Sequence, residues 1–501
     1  MRRILATTVL TVVLSSLSAA AARAQNEGQE ALTQATQKKL SAESLADLNE
    51  VVRLCDQALK KGLDETNTEF ANSLLTGTLV QRATILSVAI FDKNPPDPRW
   101  PELRGVAIKD LERAIKVDPK LAEAHYLIAR LNALRGGDLD RAHKAIDQAI
   151  EHTTKDQLAL ARYLTLRANL TTYDLAPKTE EAKREAEKAA EKRLADYAKA
   201  IELAPDDEDA VRSRGRFYLA LGKYAEAIKD FNRALELDEE DLESKLLRVR
   251  ALQLNGDAKA ARADLDELLK RQPRLAAALE LRAVLAANSR DFNQAIADFE
   301  ELLKLAPKNP ELLAQIGILY QANKKPAAAI EKFTTALEQK SDLFPALRAR
   351  ADAYLSLGKQ ADAIADYEKA IKIQGKDSSV LNNLAWVLAT SPDEKLRDGK
   401  RSIELATLAC EVTDYKAAHI LSTLAAAYAE TGQWDEAVKW SKKAVELGDD
   451  DLIKDQLKKE LASYEAKKPW RERQEMKDED GDQPRDNEKK DAEPVSKKDD
   501  A

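Results

Sequence analysis

The stretch GKYAEAIKDFNRALEL, Gly222 to Leu237, returns as RDFNQAIADFEELLKL at Arg290 to Leu305 and as GKQADAIADYEKAIKI at Gly358 to Ile373. Working outward from it, Glu208 to Asp377 divides into five consecutive blocks of 34 residues without a gap, beginning at Glu208, Leu242, Ala276, Pro310 and Phe344. A fixed period of this length is the signature of a repeat array. Each block holds two apolar-periodic segments, each followed by a break, and so predicts a pair of antiparallel helices. The eighth position is Gly215, Val249, Ala283, Gly317 or Ala351, and the twentieth is always Ala, at 227, 261, 295, 329 and 363. Small residues at both places let the two helices approach, while Phe231, Phe299, Phe333 and Tyr367 fill the space beside them. Gly222, Gly256 and Gly358 stand where the first helix must stop, which suits a left-handed cap. Pro273 and Pro307 follow the second helix, where a helical chain cannot continue. No single pair can bury its apolar face, so neighbours must stack.

This pattern resembles the tetratricopeptide repeat. The resemblance implies an all-α fold, a right-handed superhelical α-solenoid of about ten helix pairs. It extends over most of Leu40 to Trp470, and its final part is similar to exported multi-repeat proteins of some bacteria. The composition agrees with a long helical chain: 501 residues, 33% charged, 5% aromatic, with 16 Gly and 16 Pro.

Residues 1–24 predict a secretory signal peptide, with Arg2 and Arg3, an apolar stretch Ile4 to Leu17, and Ala22-Arg23-Ala24 as a small-x-small cleavage site. The apolar run is too short to span a bilayer, so no membrane insertion is expected after cleavage. The mature protein is expected to be exported, to the periplasm, envelope or exterior. Residues 25–67 are expected to form an N-terminal capping region, with an amphipathic helix from Ser44 to Leu63. The array is expected over 68–451, regular at 208–377 and 418–451, with an insertion at Pro177 to about Lys192 and a longer turn at Ser391 to Lys400. A C-terminal cap helix at 452–468 and a disordered charged tail at 469–501 complete the chain. Without the three leader arginines the formal charge falls from −8 to −11, which argues against non-specific nucleic-acid binding. Cys55 and Cys410 are too far apart in the array to pair and read as small core residues.

A second regularity concerns charge. Arg214, Arg248, Arg282 and Arg350 occupy the seventh position of four blocks, and Asp230, Asp264, Asp298 and Asp366 the twenty-third of the same four. Where the Arg is missing the Asp is missing too, as with Ile316 and Lys332, or Leu424 and Trp440. Both positions are nearly equidistant from the inter-helix turn, which predicts an Arg–Asp bridge inside each repeat. Arg82 with Asp110 and Arg167 with Asp196 extend the series.

No phosphate loop, nucleophile elbow or Cys–His cluster occurs, and His125, His143 and His152 match no metal spacing. No catalytic residue, metal or cofactor is expected, and the chain reads as a non-enzyme. The resemblance implies a ligand groove instead, lined by positions two, five, nine and twelve of each first helix. On this sequence those include Arg130, Arg162, Arg212, Arg216 and Arg250, then Asp352, Asn382, Trp386 and Ser422. The residue order that clamps a C-terminal carboxylate in that family is absent. The expected function is an interaction scaffold for a protein or peptide partner, here one with acidic residues. The competing readings are arginines that pair internally and a structural solenoid that self-associates.

Overall fold

The structure is a computed structural model that describes residues 25–91, 98–448 and 450–471. The expected signal peptide and nearly all of the charged tail lie outside the described residues. Among these residues there are twenty-three α-helices, one short 3-10 turn and no β-strand. The chain divides into two compact units, Met1–Gly256 and Asp257–Ala501.

The first unit holds α1 (25–40), α2 (Leu45–Lys61), α3 (Glu65–Phe91), α4 (Trp100–Val117), α5 (Ala122–Asn132), α6 (Leu139–His152), α7 (Gln157–Leu170), α8 (Glu180–Leu203), α9 (Glu208–Ala220), α10 (Tyr224–Leu237) and α11 (Leu242–Leu254). Closely packed pairs are α3 with α4, α5 with α6, α7 with α8 and α9 with α10. The second unit holds α12 (Ala258–Arg271), α13 (Ala276–Asn288), α14 (Phe292–Leu305), α15 (Pro310–Ala322), α16 (Pro326–Gln339), α17 (Phe344–Ser356), α18 (Gln360–Ile373), α19 (Ser378–Thr390), α20 (Gly399–Val412), α21 (Ala418–Glu430), α22 (Trp434–Leu447) and α23 (Asp451–Glu465). Its pairs run from α13 with α14 to α21 with α22. This is the α-solenoid architecture expected from the period.

The turn inside each pair shows what the backbone demands. Gly222, Gly358 and Gly432 have φ of 72°, 69° and 74°. The amide after each reaches back to close the helix end, as Lys223 N does to the Tyr218 carbonyl at 2.9 Å. Two pairs lack the glycine and still make the same turn, with Arg290 at φ 60° and Lys324 at φ 58°. There the packing of the pair imposes a left-handed conformation that costs an L-residue on the order of 1 kcal/mol.

Small residues at the eighth position give the aromatic its space. A Cβ on Gly317 would lie 2.5 Å from the Phe333 ring, and one on Gly215 would lie 2.9 Å from Phe231. Both rings are fully buried. In the second unit one apolar cluster runs from Leu313 through Phe333, Leu347, Tyr367, Leu384 and Leu421 to Leu457. The helices that carry it pack mainly on their neighbours in sequence order, with α19 also packing on α21 and α15 on α17.

The irregular parts also have local causes. α8 is 24 residues long and its added first turns are mostly exposed, with Ala186 and Ala190 facing inward. α3 is long and apolar enough, by length and composition, to cross a membrane. It nevertheless carries the ion-paired Arg82 and packs against α2 and α4 as a core helix. Cys55 and Cys410 are free and fully buried, and burial pushes their thiols up to about 11 and about 12.

Candidate functional site

The charged residues of the array divide into those that hold it together and those that face open space. Arg214 donates to both carboxylate oxygens of Asp230 at 2.8 and 2.7 Å, Arg282 to Asp298 at 2.9 and 2.7 Å, and Arg350 to Asp366 at 2.6 and 2.9 Å. Arg167 grips Asp196 in the same fork at 2.8 and 2.6 Å, and Arg82 grips Asp110. The five aspartates are 2–6% exposed. Planar, bidentate geometry is what the guanidinium offers and a lysine cannot.

Three of the repeat arginines have a further limb that the sequence reading missed. Arg282 Nη1 donates to Asp266 at 2.7 Å, Arg350 Nη1 to the Thr334 hydroxyl at 2.9 Å, and Arg248 Nη1 to Asn232 at 3.1 Å. The acceptor stands 16 residues before the Arg, on the second helix of the preceding repeat. One arginine therefore joins its own pair and staples that pair to its predecessor. The signal was present as a hydrogen-bond acceptor at the twenty-fifth position of the preceding block. Arg248 and Asp264, the remaining expected pair, belong to different units. Where Ile316 replaces the Arg, Lys332 pairs instead with Glu300 at 3.0 Å, 32 residues before it.

The expected groove arginines separate into two kinds. Arg212 is only 14% exposed and lies 2.8 Å from Asp241, 2.9 Å from Asp209 and 3.3 Å from Glu208. Burial opposes its charge, yet Asp241 and Asp209 together hold the guanidinium above its ordinary value. Asp241 also caps α11, so the pair ties α9 to the start of the next first helix. Arg216 pairs with Glu243 at 2.5 Å. Both arginines are thus engaged with carboxylates of the next helix, the internal pairing that the sequence left open beside a ligand role. Arg250 is exposed and, among the described residues, has no ion pair.

Arg130 is different. Its guanidinium lies 3.9 Å from the centre of the Phe91 ring, and among the described residues no carboxylate pairs with it. It opens on a cavity of about 750 Å³ bounded by α5, α7 and the turn from α8 to α9. Arg162 shares that wall, 51% exposed, 3.5 Å from Glu123 and 5.6 Å from the centre of the Tyr126 ring. Leu158, Leu166 and Leu203 supply apolar lining, and Asp206, Asp207 and Asp209 add acidic groups at the turn. Tyr126 stacks on Tyr163, whose hydroxyl donates to Glu123 at 2.8 Å.

In the second unit the expected positions have amide and acidic character. Asp352 accepts from the hydroxyl of the fully buried Tyr367 and from the Asn383 amide at 3.1 Å. Burial lifts the Asp352 carboxyl above its ordinary range, although both donors pull the other way. Asn382, Trp386 and Ser422 line a second cavity of about 430 Å³ where α23 crosses α19 and α21. Asn382 is 9% exposed, and among the described residues its Oδ1 has no hydrogen-bond partner.

A pH dependence follows from Asp352. A carboxyl raised in the folded state favours the protonated form, so its contribution to stability grows as pH falls through the folded value and is lost as pH rises. Asp352→Asn is therefore expected to stabilise the second unit at pH 7, with the advantage shrinking towards the ordinary Asp range of about 4. Urea midpoints of both proteins across that range check it. An advantage that grew on acidification would contradict the assignment.

Among the described residues no group of three His, Cys, Asp or Glu is placed to hold a metal ion. His125 is held at 2.8 Å from the Pro119 carbonyl.

Models of the tetratricopeptide repeat match residues 104–156, 212–241, 246–310, 315–378 and 417–448. The unmatched intervals contain the lengthened α8 and the long turn before α20, where this chain departs from the 34-residue form. Among solved structures, a tetratricopeptide repeat protein from Parabacteroides merdae ATCC 43184 is 20% identical, covering 56% of this chain and 98% of its own, with a TM-score of 0.36. YrrB, described as a repeat protein with an unusual peptide-binding site, is 22% identical over 42% of this chain and 99% of its own, at 0.33. Yeast Tom70 is 14% identical over 89% of this chain and 96% of its own, also at 0.33. No curated protein matches the chain.

Proposed function

The chain belongs to the tetratricopeptide repeat family of interaction scaffolds, and from that premise we propose that it is an exported scaffold holding an acidic peptide segment in the first unit. Proteins of this family are typically non-enzymatic. The observation that carries the proposal is Arg130, a guanidinium without a carboxylate partner among the described residues, at the wall of a 750 Å³ cavity with apolar lining. Arg162 stands beside it with one long contact to Glu123. An acidic side chain of the ligand meets these cations through charge-assisted hydrogen bonds, and apolar neighbours cover Leu158 and Leu203. The aspartates at the α8–α9 turn accept from main-chain N–H groups. Export rests on the leader-like residues 1–24.

The test compares wild type with Arg130→Glu/Arg162→Glu against pools of capped peptides with a central Glu or a central Gln. Tight, salt-sensitive binding of the Glu pool by wild type is expected, weakened at least about tenfold in the variant. Equal binding by both proteins removes the arginine wall as the site. Concentration-dependent self-association without peptide binding would favour the structural-solenoid reading. Fractionation of cells producing the full-length chain tests export, and retention of an uncleaved chain in the cytoplasm would refute it.

A further inference from the structure

We propose that Pro469–Arg471 are a built-in competitor. They fill a recognition site for a tryptophan–arginine segment at the ends of α19 and α21, and a partner protein carrying that pair takes the site by displacing them. The site lies apart from the arginine-lined cavity and rests on the scaffold reading only in taking the displacing ligand to be a peptide.

The site is legible because it is filled. After α23 the chain reverses at Lys467, whose φ is 54°. The turn is closed by Lys468 N to the Ser463 carbonyl and by the Ser463 hydroxyl to the Lys468 carbonyl, each at 2.9 Å. The next three residues form a strap over the preceding helices. Trp470 packs against the buried cluster that contains Ala389, Ala425, Ala429 and Tyr464. Arg471 Nη1 donates to the Ala389 carbonyl at 3.2 Å, and its Nη2 pairs with Glu430. Ala389 and Glu430 stand in the last turns of α19 and α21. Carbonyls there lack intrahelical donors, and the helix dipole favours a cation. One indole on an alanine-rich surface and one guanidinium shared by a carbonyl and a carboxylate define what the site selects.

Three observations make the strap a removable occupant. Among the described residues its main chain makes no hydrogen bond to the array, so its side chains alone hold it. Glu430 does not depend on Arg471, because Arg397 Nε also donates to it at 2.9 Å and is anchored by the Ser391 carbonyl at 3.1 Å. When Arg471 leaves, the carboxylate keeps a cation, and release strands no charge. Finally, Trp470 Nε1 is covered yet has no hydrogen-bond partner among the described residues. A buried donor without an acceptor costs free energy that water returns when the strap lifts.

The experiment compares the full chain with one ended at Lys468, which keeps α23 and lacks the competitor. The probe is a capped, fluorescein-labelled peptide Lys-Pro-Trp-Arg-Glu read by anisotropy, beside versions with Ala for Trp or for Arg. The shortened chain is expected to bind the probe saturably with a Kd below about 1 mM. Both Ala versions, and Glu430→Gln in the protein, should weaken binding about tenfold. The full chain should bind about tenfold more weakly than the shortened one, because its site is open only part of the time. In the full chain labelled with 5-fluorotryptophan, unlabelled peptide should move the Trp470 resonance, assigned with Trp470→Phe, to its solvent-exposed position. No binding by a shortened chain whose circular dichroism shows it folded would overturn the proposal and leave the strap as a fixed cap. So would a Trp470 resonance that no peptide moves, a readout that stands even if the shortened chain does not fold. Equal binding by the two chains would place the probe elsewhere and overturn it too. Self-association of the full chain that Trp470→Ala abolishes would overturn it by making a second copy the partner. Failure of Glu peptides at Arg130 with the Trp470 response intact would fault only the earlier reading.

Discussion

Arg282→Leu is expected to cost the second unit on the order of 2–3 kcal/mol, several times what an exposed ion pair contributes. The reason lies in what remains. Asp298 is 2% exposed, and among the described residues its carboxylate keeps, without the fork from Arg282, the Gln294 amide at 3.0 Å. Breaking a fully buried pair costs about 3–5 kcal/mol, and the 19% exposure of Arg282 places this one below that range. The same substitution leaves Asp266 with its long contact to Arg262 at 3.8 Å, and that half-exposed side chain rehydrates at little cost. Arg282→Leu/Asp298→Leu should therefore be more stable than Arg282→Leu alone, with a coupling energy of about 1–2 kcal/mol. Urea unfolding of the four proteins measures the cycle, and amide exchange in α13 and α14 tells local loosening from global loss. Zero coupling would reduce the fork to a surface habit of the repeats.

Ending the chain at Gly448 is expected to have the other large effect. This removes α23, including Leu457 and Tyr464, which are 4% and 0% exposed. Two such side chains contribute about 1.5–3 kcal/mol each through burial, so the last pair loses about 3–6 kcal/mol of cover. Leu457 packs with Ala444 and Leu421 in one cluster, Tyr464 with Ala425 and Ala437 in another. In an array where each element touches its neighbours, the loss should remain local. Amide protection is expected to fall by orders of magnitude in α21 and α22 while α13 to α18 keep theirs. Uniform loss of protection across the second unit would show that it unfolds as a single body.

Both expectations use information of two kinds. The 34-residue period, the small eighth and twentieth positions and the glycine turns were legible in the sequence because they recur. A repeated unit presents each packing constraint many times, and a constraint seen in register at five places stands out from ordinary composition. Joint presence of Arg at position seven and Asp at position twenty-three was legible for the same reason. Even the irregular repeats were visible, as the insertion before Lys192 and the long turn after Ser391.

What the sequence left open is what each arginine touches. Arg130 and Arg212 occupy comparable places on first helices, yet one stacks on Phe91 and faces a cavity while the other is held among Asp241, Asp209 and Glu208. The difference comes from the next first helix, where Asp241 and Glu243 happen to meet Arg212 and Arg216. A long side chain chooses among acceptors within several ångströms, and that choice depends on helix crossing rather than on spacing along the chain. The third limb from Arg282 to Asp266 was hidden likewise, because it joins neighbouring repeats. Helix identity and pairing follow from local period and turn chemistry, which the sequence determined. Whether a charge is open or satisfied is a property of the surfaces that stacking brings together, and only the tertiary structure decided it.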